Sequence, residues 1–344
     1  MSSNLESQPS PTSGVRCPIS VLDLAVVAEG ATSTKALAET TITAQRVEEL
    51  GYERIWVAEH HNLGGVASTV PGVLLAHLGA HTSTIRLGSG GVMLPNHAPL
   101  AIAEQFALLE ALHPGRIDLG IGRAPGTDRR TAAALRRGAD FHDDDHFPRN
   151  LVELLGLLGD ARKTEGCWDW LVATPEATSY PSVKLLGSSG FSAQLAGILG
   201  LPFAFAHHFD MGGTEQAVQI YHDSFEPSAV LAEPYTIVSA SVLAADTEQE
   251  AQHLVGPSRL RRLGIRTGQI IPLMSPEKAA AHPAFPQAAG MATSSLVGTA
   301  EQVVAGLDQL AELTSASELM IYTSAYALED RLHSFELLAK AWHG

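Results

Sequence analysis

The sequence predicts an α/β protein in which eight β-strands alternate with α-helices, as a closed (β/α)8 barrel or an open doubly wound sheet. Three observations point there. Short β-type runs and stretches of helical periodicity alternate along most of the 344-residue chain. No G-x-G-x-x-G follows the first strand, which weakens the dinucleotide-binding form of the open sheet. Polar and titratable residues collect at the ends of five consecutive strands, and in a barrel those ends share one face, where such folds build their sites.

Residues 1–14, MSSNLESQPSPTSG, are polar and rich in Ser and Pro. They read as a disordered tail, and a single domain is expected over 18–344 after a tail of 1–17. Residues 19–27, ISVLDLAVV, are the first β-type run. Over 33–50, Leu37, Thr41, Ala44, Val47 and Leu50 fall at helical spacing, and Gly51 ends the helix. Strand two covers 54–58, and a helix follows over 69–81. Strand three, 85–94, is interrupted by glycine. Residues 99–112 are helical, with Ile102, Phe106 and Leu109 on one face. Strand four is 116–121, followed by helical stretches near 129–137 and 147–158. Strand five is 183–186 with a helix over 191–199 closed by Gly200, and strand six is 203–206 with a helix near 214–225. Strand seven is 236–244 and strand eight 319–323. The helix before strand eight opens with a capping box, Thr299 and Gln302, and places Val303, Leu307 and Leu310 on one face. A last helix spans about 330–342. Residues 256–295 fit the alternation badly: they hold Gly, Pro, Arg and Ser clusters and an Ala-rich segment. They are expected to be an insertion between strands seven and eight, a candidate lid.

Composition narrows the function classes. A net charge of −15 and a pI near 5.4 argue against nucleic acid or an anionic membrane as partner. Only Cys17 and Cys167 are present, so neither a disulfide framework nor a cysteine zinc site is available. No run of 18 uncharged apolar residues occurs and no signal peptide opens the chain, so a cytoplasmic enzyme is expected.

The chemistry sits where strands end. Strand two delivers Glu59, His60 and His61; strand three, Asn96 and His97; strand four, Arg123 and the turn Ala124-Pro125-Gly126. After strand five comes GSSGFS, residues 187–192, and after strand six His207, His208 and Asp210. A lone histidine at a strand end is as readily a hydrogen-bonded loop residue, which covers His97, His207 and His208. Neighbours on an extended segment point opposite ways, so one of His60 and His61 faces a cavity and the other, His61, is the candidate packing residue. Gly90-Gly91 either relieves crowding in the strand or lets backbone lie flat against a planar ligand. In GSSGFS, the free N–H groups at the helix start and the hydroxyls of Ser188, Ser189 and Ser192 can cradle a phosphate; the plainer alternative is an N-cap serine. Arg123, just past strand four, is a candidate anion ligand, whereas Arg116 and Asp118 on that strand pair structurally.

The strings WVAEHH, LGSGGVMLPNHAPL, GRIDLGIGRAPGTD and LLGSSGFSAQLAGILGLPFAFAHHF resemble those of the bacterial luciferase-like flavin monooxygenases, in particular the alkanal monooxygenase branch. The resemblance runs over about 18–245 and again through GTAEQVVAGL and the last strand, and does not cover the insertion. It implies a (β/α)8 TIM barrel binding FMN at its C-terminal face. It makes His60 the catalytic base beside the flavin and Gly90-Gly91 a pair joined by a non-proline cis peptide under the ring. It makes Arg123, Ser189 and Ser192 the holders of the phosphate. Two positions depart: the luciferases' reactive cysteine is Gly122 here, and their phosphate-loop glutamate is Ser188, so light emission is not expected.

The function so implied is a monooxygenase in which reduced FMN, delivered by a separate reductase, reacts with O₂ to give a C4a-hydroperoxide that oxygenates a small organic substrate. Glu59 would orient an imidazole, Asn96, His207 and His208 would line the substrate side, and the chain would form a homodimer. The alternatives are an F420-dependent oxidoreductase of the same fold, a metal-dependent hydrolase with His60, His61, His207 and Asp210 as ligands, and a non-catalytic flavin-binding protein.

Overall fold

Successive strand residues point to opposite faces, and this chain uses the two faces for different chemistry. On the second strand Ile55 and Val57 pack outward into the main core, while Arg54 and Trp56 turn inward to Asp118. On the fourth, Ile117, Leu119 and Ile121 belong to that outer core, and Asp118 lies inside. The computed structural model describes residues 16–136, 146–160, 170–209 and 211–344. Among them the strands are β1 (Ile19–Asp23), β2 (Arg54–Val57), β3 (Arg86–Met93), β4 (Ile117–Gly122), β5 (Ser182–Gly187), β6 (Phe203–Phe205), β7 (Thr236–Ala244), β8 (Leu296–Gly298) and β9 (Glu318–Tyr322).

Eight of these close into a parallel barrel in the order β1-β2-β3-β4-β5-β6-β7-β9, with β9 pairing back to β1. Helices connect the strands, so the fold is a (β/α)8 TIM barrel. β8 stands outside the ring and pairs with the far end of β7, Val242 opposite Leu296. The outer core lies between strands and helices; Phe106 and Leu109 from helix Pro99–Leu112 and Leu74, Leu75 and Leu78 from helix Pro71–His81 are part of it.

The barrel interior is layered. Its floor is ionic: Asp118 takes Arg54 at 2.6 Å, Arg86 at 2.7 Å and Lys184 at 2.8 Å. Arg54 also binds Glu318 at 2.8 Å. Burial opposes the ionised form of Asp118, but the charges of Arg54, Lys184 and Arg86 prevail and hold its pKa well below the carboxylate range. Burial, against the pull of Asp118, brings Lys184 down to about 8. Above the ions sits an apolar layer of Leu22, Trp56, Ala204, Ile237 and Met320. Trp56 lies across Gly88, where a Cβ would come within 2.4 Å of the indole. The mouth opens above this plug.

The first strand is shorter than 19–27. The Asp23 carboxylate accepts the N–H of Ala25, which takes φ +49°, and this local turn ends pairing. The segment 256–295 is more ordered than its composition implies. It contains helices Gly256–Thr267, Pro276–Ala281 and Phe285–Ala289, around a small core of Leu260, Leu263, Met274, Ala279 and Ala288. Pro257, Pro276 and Pro286 each fall in a first helical turn, where the missing N–H costs nothing, so residues that read as breakers start helices. Arg16 and Cys17, assigned to the tail from sequence, are tied down: Arg16 pairs with Asp308 at 2.9 Å and the Cys17 carbonyl accepts the Trp342 indole N–H. Among the described residues no helix is long and apolar enough to cross a membrane.

Candidate active site at the barrel mouth

The exits of β2, β3 and β4 are knotted together by the turn Ala124-Pro125-Gly126. Gly126 has φ +63°, and a Cβ there would come 2.8 Å from the Glu59 carbonyl, so the turn needs glycine on both counts. Its carbonyl lies 3.3 Å from His60 Nδ1, and the Pro125 carbonyl accepts Asn96 Nδ2 at 2.9 Å. A carbonyl only accepts, so neutral His60 carries its proton on Nδ1 and leaves Nε2 as an acceptor. Burial chiefly, with the nearby Arg261 charge, lowers the His60 pKa, and the ring is neutral at pH 7.

His61 turns the other way. Its Nε2 lies 2.9 Å from Glu59 Oε1, and His97 Nε2 lies 2.8 Å from the same oxygen. Oε2 accepts the Met93 N–H at 3.2 Å, and Asn96 Nδ2 reaches Oε1 at 3.5 Å. Glu59 is thus a buried hub, 1% exposed, that fastens the β2 exit to the β3 exit and orients His61 and His97, not His60. Burial opposes its charge, yet the bonds from His97, His61 and Met93 hold its pKa below the usual value. The ligating atoms of Glu59, His61 and His97 lie within 4.8 Å of one another, the spacing of a metal site, but both imidazoles already donate to one oxygen. The set His60, His61, His207 and Asp210 does not converge in this way among the described residues: His207 Nδ1 is 2.8 Å from Thr214 Oγ1, and Asp210 lies outside those residues.

His208 faces the mouth. Ser239 Oγ donates to the Phe205 carbonyl at 3.1 Å and so accepts from His208 Nδ1 at 2.6 Å. Its ring lies 6.0 Å from that of Tyr322. Burial first, then the charges of His207, Arg262 and His60, push its pKa down to about 4. Like His60, it presents a neutral Nε2.

On the opposite rim, Gly122 of β4 pairs with Leu186 of β5, which puts Arg123 beside Gly187-Ser188-Ser189. The Arg123 guanidinium stacks on Phe191, 4.3 Å from the ring centre. Phe191 is in the first turn of helix Gly190–Ile198, between Ser189 and Ser192. Ser189 is the N-cap but makes no capping bond, so its hydroxyl and the first N–H groups stay available. Ser192 is buried beneath Gly187, Ser188 half-buried and Ser189 exposed. Arg123 has no carboxylate partner among the described residues, which is unusual for a half-buried guanidinium and suits an anionic ligand. Between the rims, the Gly90-Gly91 peptide is cis, and the register of β3 against β4 shifts between Ser89 and Val92. A Cβ on Gly91 would come 2.8 Å from the Gly120 carbonyl, so β3 and β4 approach too closely here for a side chain.

A closed parallel barrel with polar groups gathered at the C-terminal mouth, two imidazole acceptors on one rim and, on the other, a guanidinium without a carboxylate partner among the described residues, defines a barrel with an enzyme-type site. The chain belongs to the luciferase-like monooxygenase family, which it matches over residues 18–317. It is 44% identical over 322 residues to the luciferase-like monooxygenase of Escherichia coli, covering 92% of this chain and 95% of that protein. The N-acetyl-S-alkylcysteine monooxygenase of Bacillus subtilis is 34% identical over 336 residues, covering 94% and 97%. The solved structure of apo-MsnO8 superposes with a TM-score of 0.87 at 35% identity, covering 95% of this chain and 99% of that one. The fold alone is shared with the oxygenating constituent of 3,6-diketocamphane monooxygenase in complex with FMN, TM-score 0.72 at 17% identity. It is shared equally with an F420-dependent secondary alcohol dehydrogenase, TM-score 0.65 at 13% identity.

Proposed function

We propose that this chain is an FMN-dependent monooxygenase that oxygenates a small organic substrate and receives reduced FMN from a separate reductase. The observation that carries the proposal is Arg123, without a carboxylate partner among the described residues, stacked at the start of helix Gly190–Ile198 among Ser188, Ser189 and Ser192, across the mouth from His60. These residues fit a phosphate by charge and by donor geometry. The Gly90-Gly91 pair, which carries no side chain, fits close approach of a planar ring. Bound reduced FMN supplies the activation of O₂ and the transfer of one oxygen atom.

The protein's own groups do the rest. Arg123 and the serines hold the phosphate at one rim. Trp56, Leu22 and Met320 close the floor with hydrocarbon and keep water from below. His60 accepts or returns a proton at Nε2, the atom its bond to Gly126 leaves open. Glu59 fixes the rim through His61 and His97 and takes no proton from the reaction. The helices over 256–295 cover the mouth and limit water from above. Exposed Val73, Leu108 and Leu112 on neighbouring helices Pro71–His81 and Pro99–Leu112 support a homodimer through that face.

The test is turnover. Purified protein supplied with NADH, a flavin reductase and FMN under O₂ is expected to incorporate one atom of labelled oxygen into substrates such as N-acetyl-S-alkylcysteines, on which the Bacillus subtilis relative is named to act. Reduced F420 without O₂ is expected to give no turnover. Anaerobic turnover with F420 and none with FMN would replace the proposal by its nearest rival.

A further inference from the structure

One layer above the apolar plug the barrel turns polar. On β7, Ile237 belongs to the plug, so Ser239, two residues on, points into the barrel one step nearer the mouth. On β9, Met320 belongs to the plug, and Tyr322 stands in the same relation to it. The pairing agrees: Ser239 lies opposite Met320, and Ser241 opposite Tyr322. His208 is fixed in this layer by contact, its Nδ1 2.6 Å from Ser239 Oγ and its ring 6.0 Å from that of Tyr322. A chain of hydrogen bonds then sets the tautomer. Ser239 gives its proton to the Phe205 carbonyl at 3.1 Å, which can only accept. Ser239 Oγ is therefore the acceptor for His208, which carries its proton on Nδ1. Nε2 keeps a lone pair, and no hydrogen bond to it is found among the described residues; adjacent Tyr322 makes none. Burial above all brings the ring's pKa down to about 4, so the lone pair is present at pH 7. The fold has spent a buried serine and a backbone carbonyl on aiming an acceptor that nothing in the described residues uses.

We propose that His208 determines specificity by accepting a hydrogen bond at Nε2 from an N–H or O–H of the substrate, and that Ser239 is a positioning residue that holds this acceptor open. The substrate class is then a small organic molecule with a neutral donor group beside an apolar portion that rests on Leu22, Ile237 and Met320. A carboxylate or carbonyl oxygen would set lone pair against lone pair at this point and is not the group received here. The proposal deepens the monooxygenase reading and rests on it for what is oxidised. The donor contact itself depends only on His208, Ser239 and the Phe205 carbonyl.

The experiment is calorimetric titration of the full chain, with and without FMN, using n-hexanol and its isomer methyl pentyl ether, which is of equal size and has no donor. Wild type is expected to bind n-hexanol at least about threefold more tightly than the ether. His208→Phe keeps a ring and removes the acceptor; it is expected to weaken n-hexanol about tenfold and to leave the ether and FMN unchanged. Ser239→Ala is expected to erase the preference, because His208 loses the bond that fixes its proton, whereas Ser239→Thr keeps it. ¹⁵N-histidine NMR of the flavin-free protein reads the tautomer itself: the proton is expected on Nδ1 in wild type, with the Nε2–H form gained in Ser239→Ala. Equal affinities in wild type, a preference that survives His208→Phe, no n-hexanol binding at about 10 mM, or a wild-type His208 protonated at Nε2 overturns the proposal. Should His208→Phe fail to fold, a preference that survives Ser239→Ala overturns it equally. A protein that binds no FMN but keeps a His208-dependent preference for n-hexanol would retain the donor site and lose the cofactor assignment. FMN binding without that preference is the reverse.

Discussion

Replacing Arg123 by methionine removes the guanidinium that faces the start of helix Gly190–Ile198 while keeping an unbranched side chain over Phe191. A bidentate contact to phosphate makes two charge-assisted hydrogen bonds, each contributing about 1.5–3 kcal/mol. Arg123 is half-buried, which argues for the lower end, about 3 kcal/mol for the pair, or roughly 150-fold in affinity. Among the described residues the guanidinium has no ion pair to surrender on binding. Stacking at 4.3 Å on Phe191 has already restricted it, so little further side-chain entropy is lost. Riboflavin lacks the phosphate and should be indifferent to the substitution. FMN and riboflavin, each titrated into wild type and Arg123→Met by quenching of flavin fluorescence, form a double-mutant cycle with an expected coupling of about 3 kcal/mol. A coupling below about 0.5 kcal/mol, or an equal loss for both flavins, would refute the placement of the phosphate.

His60→Ala is expected to leave FMN affinity nearly intact and to lower turnover by about 10²–10⁴-fold, measured by substrate oxygenation; equal turnover would remove His60 from proton transfer. Because the His60 pKa is lowered, its contribution to the rate should be flat above pH 6.5 and fall only on acidification below that ordinary value. The folded site resists the proton that His208 accepts once unfolded, so stability should fall as pH drops from 6.5 towards about 4. Urea titrations across that range should show a loss on the order of 2–3 kcal/mol that His208→Gln reduces. Asp118→Asn strands Arg54, Arg86 and Lys184 in the barrel floor and should cost about 3–5 kcal/mol in urea unfolding. Lys184→Met should cost less than half as much, since burial already disfavours its charge.

Sequence patterning reaches some of this architecture and not the rest, for identifiable reasons. The barrel strands are short apolar runs between polar ends, so their order and their exits were legible. Arg123 and the serine loop lie at neighbouring strand ends, and strand order alone brings them together. The bounds of helix Pro99–Leu112 are legible because Pro99 opens its first turn and Ile102, Phe106 and Leu109 keep helical spacing. The first strand was overextended because Leu24-Ala25-Val26-Val27 is as apolar as the strand before it, and only the Asp23 side chain, turned back on Ala25, ends it. β8 escaped notice because three residues carry no periodicity. The helices of 256–295 were hidden by prolines whose meaning depends on whether they open a helix or interrupt one.

In the site, alternation correctly separated His60 from His61. It could not show that Glu59 serves His61 and His97, because His97 is 38 positions away along the chain and joins through a side-chain bond. Nor could it show that the insertion 256–295, outside the strand alternation, is fastened to Glu29 through Lys278 and followed by β8 on the end of β7. The ionic floor was half-visible: Asp118 was read as paired, but its partners Arg54, Arg86 and Lys184 are inward-facing charges inside otherwise apolar strands.

A structure of the protein bound to FMN tests the central assignment most directly. The phosphate is expected within hydrogen-bond distance of Arg123 and of the Ser188–Ser192 turn, with the ring on the Gly90-Gly91 pair and His60 Nε2 towards its edge. A phosphate seated elsewhere, or no binding of oxidised or reduced FMN below about 100 μM, equivalent to about −5.5 kcal/mol, would contradict it.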